Sequence, residues 1–119
     1  ISVGYTEKKI DIYIGTGGGP EGVLAAAALK CMGCQMQTRL SFQNSKEESR
    51  AKTLGIKKLD QKYTIDDMVK GDVIFCATGV TNGDFVNGIE DLGSSFNAET
   101  LVLHNSSNLN KVIKNNIKK

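Results

Sequence analysis

The sequence predicts an α/β fold in which a mixed β-sheet carries flanking helices. Two observations support this class: apolar strand-like runs alternate with helical patterns early in the chain, and shorter strand patterns joined by turns follow at the end. The predicted order is β-α-β-α-α-β and then hairpins, which is typical of an α/β domain. The chain has 119 residues, the usual size of one domain, so we expect a single domain over residues 1–119.

The first predicted unit is a strand, a glycine loop and a helix. An apolar run over Lys9–Gly15 leads into Gly17–Gly19, and Pro20 then begins a helix that we expect to reach Cys31. Residues Gln35–Phe42 alternate apolar and polar side chains, as in a strand with one buried face. This order predicts two parallel strands joined by a right-handed crossover.

The later elements are assigned from caps, glycine stops and apolar runs. We expect Gly33 and Gly55 to end the first two helices. The other assignments are helices over Ser45–Leu54 and Ile65–Lys70 with Thr64 as N-cap, strands over Asp72–Thr78, Thr100–Asn105 and Leu109–Ile117, a turn at Asn82–Gly83 leading into Asp84–Gly88, and a loop over Leu92–Ala98. Because the Asp72–Thr78 run is continuously apolar, we expect both of its faces to be covered.

Composition excludes several classes of partner. Fifteen basic and 13 acidic residues give a net charge of +2 without a basic patch, so we expect no nucleic-acid partner. No apolar segment approaches the roughly 20 residues that span a bilayer, so we expect no membrane partner. Three cysteines, an odd number, are typical of a reduced, cytoplasmic protein.

The glycine loop and the helix start after it form the strongest candidate site. Free N–H groups and the positive end of the helix dipole favour an anion there. Glu21 places a carboxylate where a phosphate would sit, and two anions lie together only with a cation between them. The residues alone leave two interpretations: a phosphate site that works through a divalent metal, or a glutamate that complements the helix dipole. Residues Gly17–Gly22 also fit G-x-G-x-x-G, but no acidic residue ends the second predicted strand, which disfavours a dinucleotide site.

Three other motifs carry weaker signals. Cys31 and Cys34 form C-x-x-C at a helix end, where inert thiols are expected, since a redox pair sits at a helix start and zinc needs further ligands. His104, the only histidine, is expected to be a partly exposed strand residue without a serine or cysteine partner. Residues Thr78–Asp84 follow a strand end, where ligand groups often lie, although a glycine turn with side-chain caps is the simpler expectation.

Three ordered blocks resemble the signature of bacterial class II fructose-1,6-bisphosphatases. They are Gly-Gly-Gly-Pro-Glu-Gly-Val-Leu-Ala-Ala-Ala-Ala-Leu-Lys (17–30), Lys-Tyr-Thr-Ile-Asp-Asp-Met-Val-Lys-Gly-Asp-Val-Ile-Phe (62–75) and Ala-Thr-Gly-Val-Thr-Asn-Gly (77–83). The resemblance runs from about residue 9 to residue 105. Members of that family are well over twice as long, and this chain is similar to their C-terminal part only.

The resemblance implies the C-terminal half of a lithium-sensitive sugar-phosphatase fold, of the type shared by fructose-bisphosphatases and inositol monophosphatases. It implies hydrolysis of fructose 1,6-bisphosphate to fructose 6-phosphate in gluconeogenesis, with Mn²⁺ or Mg²⁺ as cofactor. Glu21 would be a metal ligand and Gly18 would contact the substrate. In the family that it resembles, the catalytic groups and most metal ligands lie in the N-terminal half, so no catalytic residue is assigned here and this chain alone is expected to have little or no activity.

Two alternatives stay open. One is a bisphosphatase acting on sedoheptulose 1,7-bisphosphate, and the other is a non-catalytic module that binds nucleotide or mediates assembly. The expected partners are the sugar bisphosphate and the missing N-terminal half. A homo-oligomer is also expected, because a domain cut from a larger protein exposes apolar surface.

Overall fold

The computed structural model describes residues 1–119. Two single-turn 3₁₀ helices, Ser2–Gly4 and Thr6–Lys8, precede the regular elements. The elements are α1 (Gly19–Cys31), β1 (Gln37–Arg39), α2 (Ser45–Thr53), β2 (Lys62–Thr64), α3 (Ile65–Met68), β3 (Ile74–Thr78), β4 (Glu90–Asp91), β5 (Ser95–His104) and β6 (Leu109–Lys118). No helix combines the length and the apolar character needed to cross a membrane.

The first helix, α1, confirms the predicted start and end. Proline lies in its first turn, and a run of alanines favours the helical backbone. At its end Gly33 adopts a φ of +68°, the left-handed conformation that favours glycine. The Cys34 N–H then donates to the Leu29 carbonyl at 3.0 Å and the Gly33 N–H to that of Lys30 at 3.2 Å. This paired arrangement satisfies carbonyls that would otherwise lack a partner.

The other two helices begin at side-chain caps. The Asn44 side chain accepts hydrogen bonds from the backbone of Lys46 and Glu47 at the start of α2. Thr64 and Asp67 form a reciprocal capping box at the start of α3. The prediction made α3 two residues too long: Val69 is extended, and its carbonyl accepts a hydrogen bond from Lys30 Nζ at 2.9 Å.

All strand pairs are antiparallel. The strands β1 and β2 form a small sheet with Gln37 opposite Thr64. In the larger sheet β5 pairs with β6 along its whole length, while β3 and β4 pair with the other edge of β5. The predicted class, an α/β fold with flanking helices, is confirmed. The predicted parallel pairing is wrong, because the strand after α1 pairs with β2 and not with a strand before α1.

Two predicted strands are absent or shortened. Residues Lys9–Gly15 form no strand, and no backbone hydrogen bond involves residues 10–17. A strand requires a hydrogen-bonded neighbour, and nothing pairs with this apolar run. The strand predicted over Gln35–Phe42 contracts to β1, because its partner β2 offers only three residues.

The predicted Asn82–Gly83 turn is wrong, because neither residue has the positive φ that a two-residue hairpin turn of this kind requires, and no strand follows it. The Gly83 N–H donates to the Val86 carbonyl at 3.0 Å, and the Gly88 N–H donates to Asn82 Oδ1 at 2.8 Å. Residues 82–88 therefore close a short loop on themselves.

Two further corrections concern the larger sheet. Only one face of β3 is covered: Phe75 packs into the core, whereas Ile74 is 66% exposed. The predicted loop Leu92–Ala98 contains the start of β5, so the Thr100–Asn105 strand begins earlier than expected. Cross-strand side chains hold this polar part, since Asn116 Nδ2 donates to Asn97 Oδ1 at 2.8 Å.

The core consists of two small apolar clusters on two sides of α1. One joins Ala26 and Leu29 to Ile65 of α3. The other joins Ala28 to Leu101 and Leu103 of β5, and Leu103 is fully buried. The alanines have no side chain beyond Cβ, so α1 lies close to both layers.

Glu99 should make part of the stability dependent on acid pH. Backbone and side-chain hydrogen bonds from Asn87, together with Lys114 Nζ at 2.7 Å, lower the pKa of Glu99 from 4.5 to about 2. The charged form stabilises the folded state above pH 4.5, and this contribution is lost as the pH falls towards 2. We therefore expect Glu99→Gln to be less stable than the wild type near neutral pH, with the difference shrinking between pH 4.5 and 2.

Urea unfolding at a series of pH values measures this difference. Glu48→Gln is the control, because the Glu48 side chain on α2 makes no hydrogen bond. A stability gap for Glu99→Gln that stays constant down to pH 2 contradicts the assignment.

Candidate functional site

The glycine loop ends at Gly18, the N-cap of α1. Gly18 is extended, with φ −69° and ψ 153°, and no side chain caps the helix. The first helical bond runs from the Gly22 N–H to the Gly18 carbonyl at 3.0 Å. Pro20 has no N–H. The backbone N–H groups of Gly19 and Glu21 lie in the first turn of the helix and have no partner in the chain. The start of α1 therefore presents unused donors and the positive end of the helix dipole.

The structure brings the two predicted site residues together. The carboxylate of Glu21 folds back over Gly18, and a Cβ atom at position 18 would overlap one of its oxygens. A Cβ atom at Gly17 or Gly22 would meet open space. A residue without a side chain is therefore needed at Gly18 for this position of the Glu21 carboxylate.

Glu21 alone does not make a metal site. Its side chain is exposed, and neither a hydrogen bond nor an ion pair engages it. The chain contains no group of three or more His, Cys, Asp or Glu residues that could hold a metal ion. Ions such as Mg²⁺ require several oxygen ligands. The residues present thus offer one carboxylate and do not fit a complete metal centre.

Two surface cavities lie away from this loop. One, of about 320 Å³, lies between the N-terminal residues and the β5–β6 hairpin, and includes Tyr5, Phe85 and Lys111. The other, of about 790 Å³, is lined mainly by asparagine and glutamate side chains of the larger sheet and the loop before it. Neither includes a residue of the glycine loop.

The Thr78–Asp84 segment has the simpler of its two expected structures. Thr78 Oγ1 shares a hydrogen bond with Thr100 Oγ1 at 2.8 Å, and the Gly79 N–H donates to the Glu99 carbonyl at 3.0 Å. A Cβ at Gly79 would overlap the Asn87 backbone. The segment is a turn that requires glycine at position 79, because the chain there packs directly against the backbone of Asn87.

The C-x-x-C cysteines are free thiols. The Cys31 thiol donates to the Val73 carbonyl at 3.5 Å, and burial raises its pKa. Cys34 lies 3.9 Å from the Met32 carbonyl. A raised pKa lowers the thiolate fraction, which agrees with the expected inert role of Cys31.

The structure contradicts the expectation that His104 has no serine partner. His104 Nδ1 lies 2.8 Å from Ser107 Oγ, and Nε2 lies 2.9 Å from Asp72 Oδ2. Ser106 Oγ also donates to Asp72 Oδ2 at 2.9 Å. Hydrogen bonds from His104 and Ser106 lower the pKa of Asp72.

This cluster joins the β5–β6 turn to the residue that leads into β3. Next to it, the Val73 N–H donates to Asn105 Oδ1 at 2.6 Å. Ser106 and Ser107 are close to His104 in sequence, so the turn itself was a usable signal. The contact with Asp72 could not be predicted, because Asp72 is 32 residues away from His104 in the sequence.

Comparison with known proteins gives one family match. The model of bacterial fructose-1,6-bisphosphatase, glpX-encoded, matches residues 1–117. A protein of Haemophilus influenzae (strain ATCC 51907 / DSM 11121 / KW20 / Rd), named fructose-1,6-bisphosphatase class 2, is 35% identical over 115 residues. That alignment covers 85% of this chain and 34% of the relative.

Two further relatives come from Synechococcus sp. strains JA-2-3B'a(2-13) and JA-3-3Ab. Both are named D-fructose 1,6-bisphosphatase class 2/sedoheptulose 1,7-bisphosphatase, and each is 34% identical over 120 residues. These alignments cover 90% of this chain and 35% of each relative. The chain thus spans about a third of the length of the relatives it matches.

Removing the Asp72 carboxylate should destabilise the chain. Asp72→Ala removes the acceptor that His104 Nε2 and Ser106 Oγ share, while the hydrogen bonds between Val73 and Asn105 stay. We expect a lower urea midpoint than for the wild type. Asp84→Ala is the control, because the Asp84 side chain, 74% exposed, makes one ion pair with Lys8 at 3.6 Å. Equal midpoints for the two variants would show that the cluster contributes nothing to stability.

Proposed function

The chain belongs to the family of glpX-encoded bacterial fructose-1,6-bisphosphatases, and on this basis we propose that it is part of a metal-dependent sugar bisphosphatase. The proposed reaction is hydrolysis of fructose 1,6-bisphosphate to fructose 6-phosphate and phosphate, a step of gluconeogenesis. The observation that carries the proposal is the family match over nearly the whole chain, residues 1–117. The chain corresponds to about a third of its relatives. The activity therefore belongs to a longer protein.

Glu21 is proposed as one oxygen ligand of Mn²⁺ or Mg²⁺. Its carboxylate is exposed and unpaired, and it lies at the start of α1. A bound divalent ion would supply neutralisation of phosphate charge and an activated water. The chain provides a single carboxylate, so the other ligands would come from the rest of the enzyme.

Gly18 is proposed to contact the substrate. It has no side chain, and the neighbouring N–H groups of Gly19 and Glu21 have no partner within the chain. Backbone donors at a helix start suit phosphate oxygens. The loop would therefore bind and orient a phosphate group beside Glu21.

Sedoheptulose 1,7-bisphosphate is a second candidate substrate. The names of the two Synechococcus relatives include this activity, and their identity to the chain is similar to that of the Haemophilus influenzae relative. Two expectations stay predictions: a cytoplasmic location and assembly into a homo-oligomer.

A chimera tests the role of Glu21. The segment of the Haemophilus influenzae relative that aligns with this chain is replaced by the chain itself, and phosphate release from fructose 1,6-bisphosphate is measured with Mn²⁺. We expect Glu21→Gln to lower activity by about 100-fold or more. Mutation of a group that only hydrogen-bonds to a metal ligand already lowers metal affinity or activity by about 10- to 100-fold. When the chimera is titrated with Mn²⁺ and the free ion is measured by electron paramagnetic resonance, the Glu21→Gln variant should bind Mn²⁺ more weakly. The isolated 119-residue chain is expected to release no phosphate.

Glu48→Gln is the matched control in the chimera, because Glu48, like Glu21, is an acidic residue in the first turn of its helix and its side chain makes no hydrogen bond or ion pair. An active chimera whose activity and Mn²⁺ binding are unchanged by Glu21→Gln contradicts the ligand assignment. Turnover by the isolated chain contradicts the need for the rest of the enzyme. Running both sugar bisphosphates side by side separates the two substrates.

Gly18→Ala gives an independent test of the same site. The new methyl group would overlap the Glu21 carboxylate and displace it, while the extended backbone at this position accepts alanine. We expect weaker Mn²⁺ binding and a raised KM in the chimera, with an unchanged urea midpoint. Gly17→Ala, where the methyl group meets open space, should leave all three unchanged. Equal effects of the two substitutions would count against the contact.

A further inference from the structure

Residues 10–14 form an apolar segment without a partner. Ile10, Ile12 and Ile14 alternate with Asp11 and Tyr13, the pattern of a strand with one apolar face. The three isoleucines are 42%, 73% and 86% exposed. No backbone hydrogen bond engages the segment. Its backbone donors and acceptors are therefore free to pair with a sheet edge.

The outer edge of β3 is a sheet edge without protection. β3 pairs with β5 on one side and with no strand on the other. Its sequence, Ile-Phe-Cys-Ala-Thr, contains no charge and no proline. The opposite outer strand, β6, carries Lys111, Lys114 and Lys118, as edge strands usually do. The β3 edge is thus suited to accept another strand.

The packing of α1 fixes the direction of that strand. The Cys31 thiol at the end of α1 lies 3.5 Å from the carbonyl of Val73, just before β3. One turn earlier in α1, Ala28 packs on Leu101 and Leu103, which pair with Ala77 and Phe75 further along β3. The helix therefore runs antiparallel to β3, and a strand that leads into α1 runs parallel to it. The 13 residues of α1 span about 20 Å, and the five of β3 about 17 Å. The link, residues 15–18, has a usual length for a strand-to-helix loop.

We infer that residues 10–14 dock as a parallel strand on the free edge of β3. The isoleucines then face α1, where Leu24 continues the stripe of Ala28 and Cys31 but is 58% exposed. Docking covers both apolar surfaces and makes the larger sheet mixed.

The contacts that hold the preceding residues elsewhere are weak. Lys8 lies 3.6 Å from Asp84 in an exposed ion pair, and the Tyr5 and Phe85 rings are 5.1 Å apart. Ile1 and Met32 pack on the same apolar cluster beside α1. The N-terminus of the chain therefore already lies near the end of α1, which is next to the start of β3. The contacts of Tyr5 and Lys8 can therefore break, and residues 10–14 can move, while the packing of Ile1 and Met32 on this cluster is kept.

Docking does not depend on the proposed function. It fixes the glycine loop from both ends, since the loop then joins a paired strand to the N-terminus of α1. A failure of Mn²⁺ binding in the chimera would leave the docking proposal intact, and the reverse is also true.

Native Cys76 provides the test. Phe75 packs beneath α1, so Cys76 lies on the opposite, exposed face of β3. In the docked strand Tyr13 shares that face and Ile12 does not. Tyr13→Cys and Ile12→Cys are treated, in the 119-residue chain, with a bifunctional thiol reagent that bridges adjacent strands, about 5 Å apart. Cross-linked peptides are then identified by mass spectrometry.

We expect the Tyr13→Cys variant to form a cross-link between position 13 and Cys76 within one chain. This product should be at least about tenfold more abundant than the corresponding product of Ile12→Cys, because adjacent side chains of a strand point to opposite faces. Tyr13→Cys combined with Cys76→Ser is the control for coupling to Cys31 or Cys34. Three results overturn the inference: equal yields from the two variants, no cross-link to Cys76, or cross-links only between chains. The last would assign the β3 edge to a second copy.

Discussion

The close packing of α1 is the constraint on which the rest of the structure depends. Ala26 and Ala28 are both fully buried, one towards α3 and the other towards β5. Larger side chains at these positions would separate the helix from one of the layers. Since α1 also carries Glu21 at its start, the packing that forms the core also positions the candidate ligand.

The sequence predicted the parts of the fold that local chemistry determines. The ends of α1 and α2, the Thr64 cap and the hairpin of the last two strands follow from residues within a few positions of each other. These signals are reliable because a cap or a left-handed glycine acts on its own backbone. They are the parts that the structure confirms.

The errors arose where a distant partner decides the outcome. The Lys9–Gly15 run has strand-forming residues, yet nothing in the structure pairs with it. The start of β5 is polar and was assigned to a loop, but Asn97 and Asn116 bind across the strands. The His104 cluster likewise depends on Asp72, which is distant in sequence. Composition and periodicity report burial, and they carry little information about polar pairs formed over long separations.

The candidate site combines both situations. Glu21 and Gly18 lie three residues apart, so the loop and its family resemblance could identify them from sequence, and the structure places them in contact. What completes the site is not local: a lone exposed carboxylate needs further oxygen ligands before it holds a divalent ion. The helix start nevertheless fixes the free N–H groups of Gly19 and Glu21, and fixed donors lose little entropy when an anion binds. The chain would thus supply preorganised backbone donors and one carboxylate, and affinity would arise only when the remaining ligands are held opposite them.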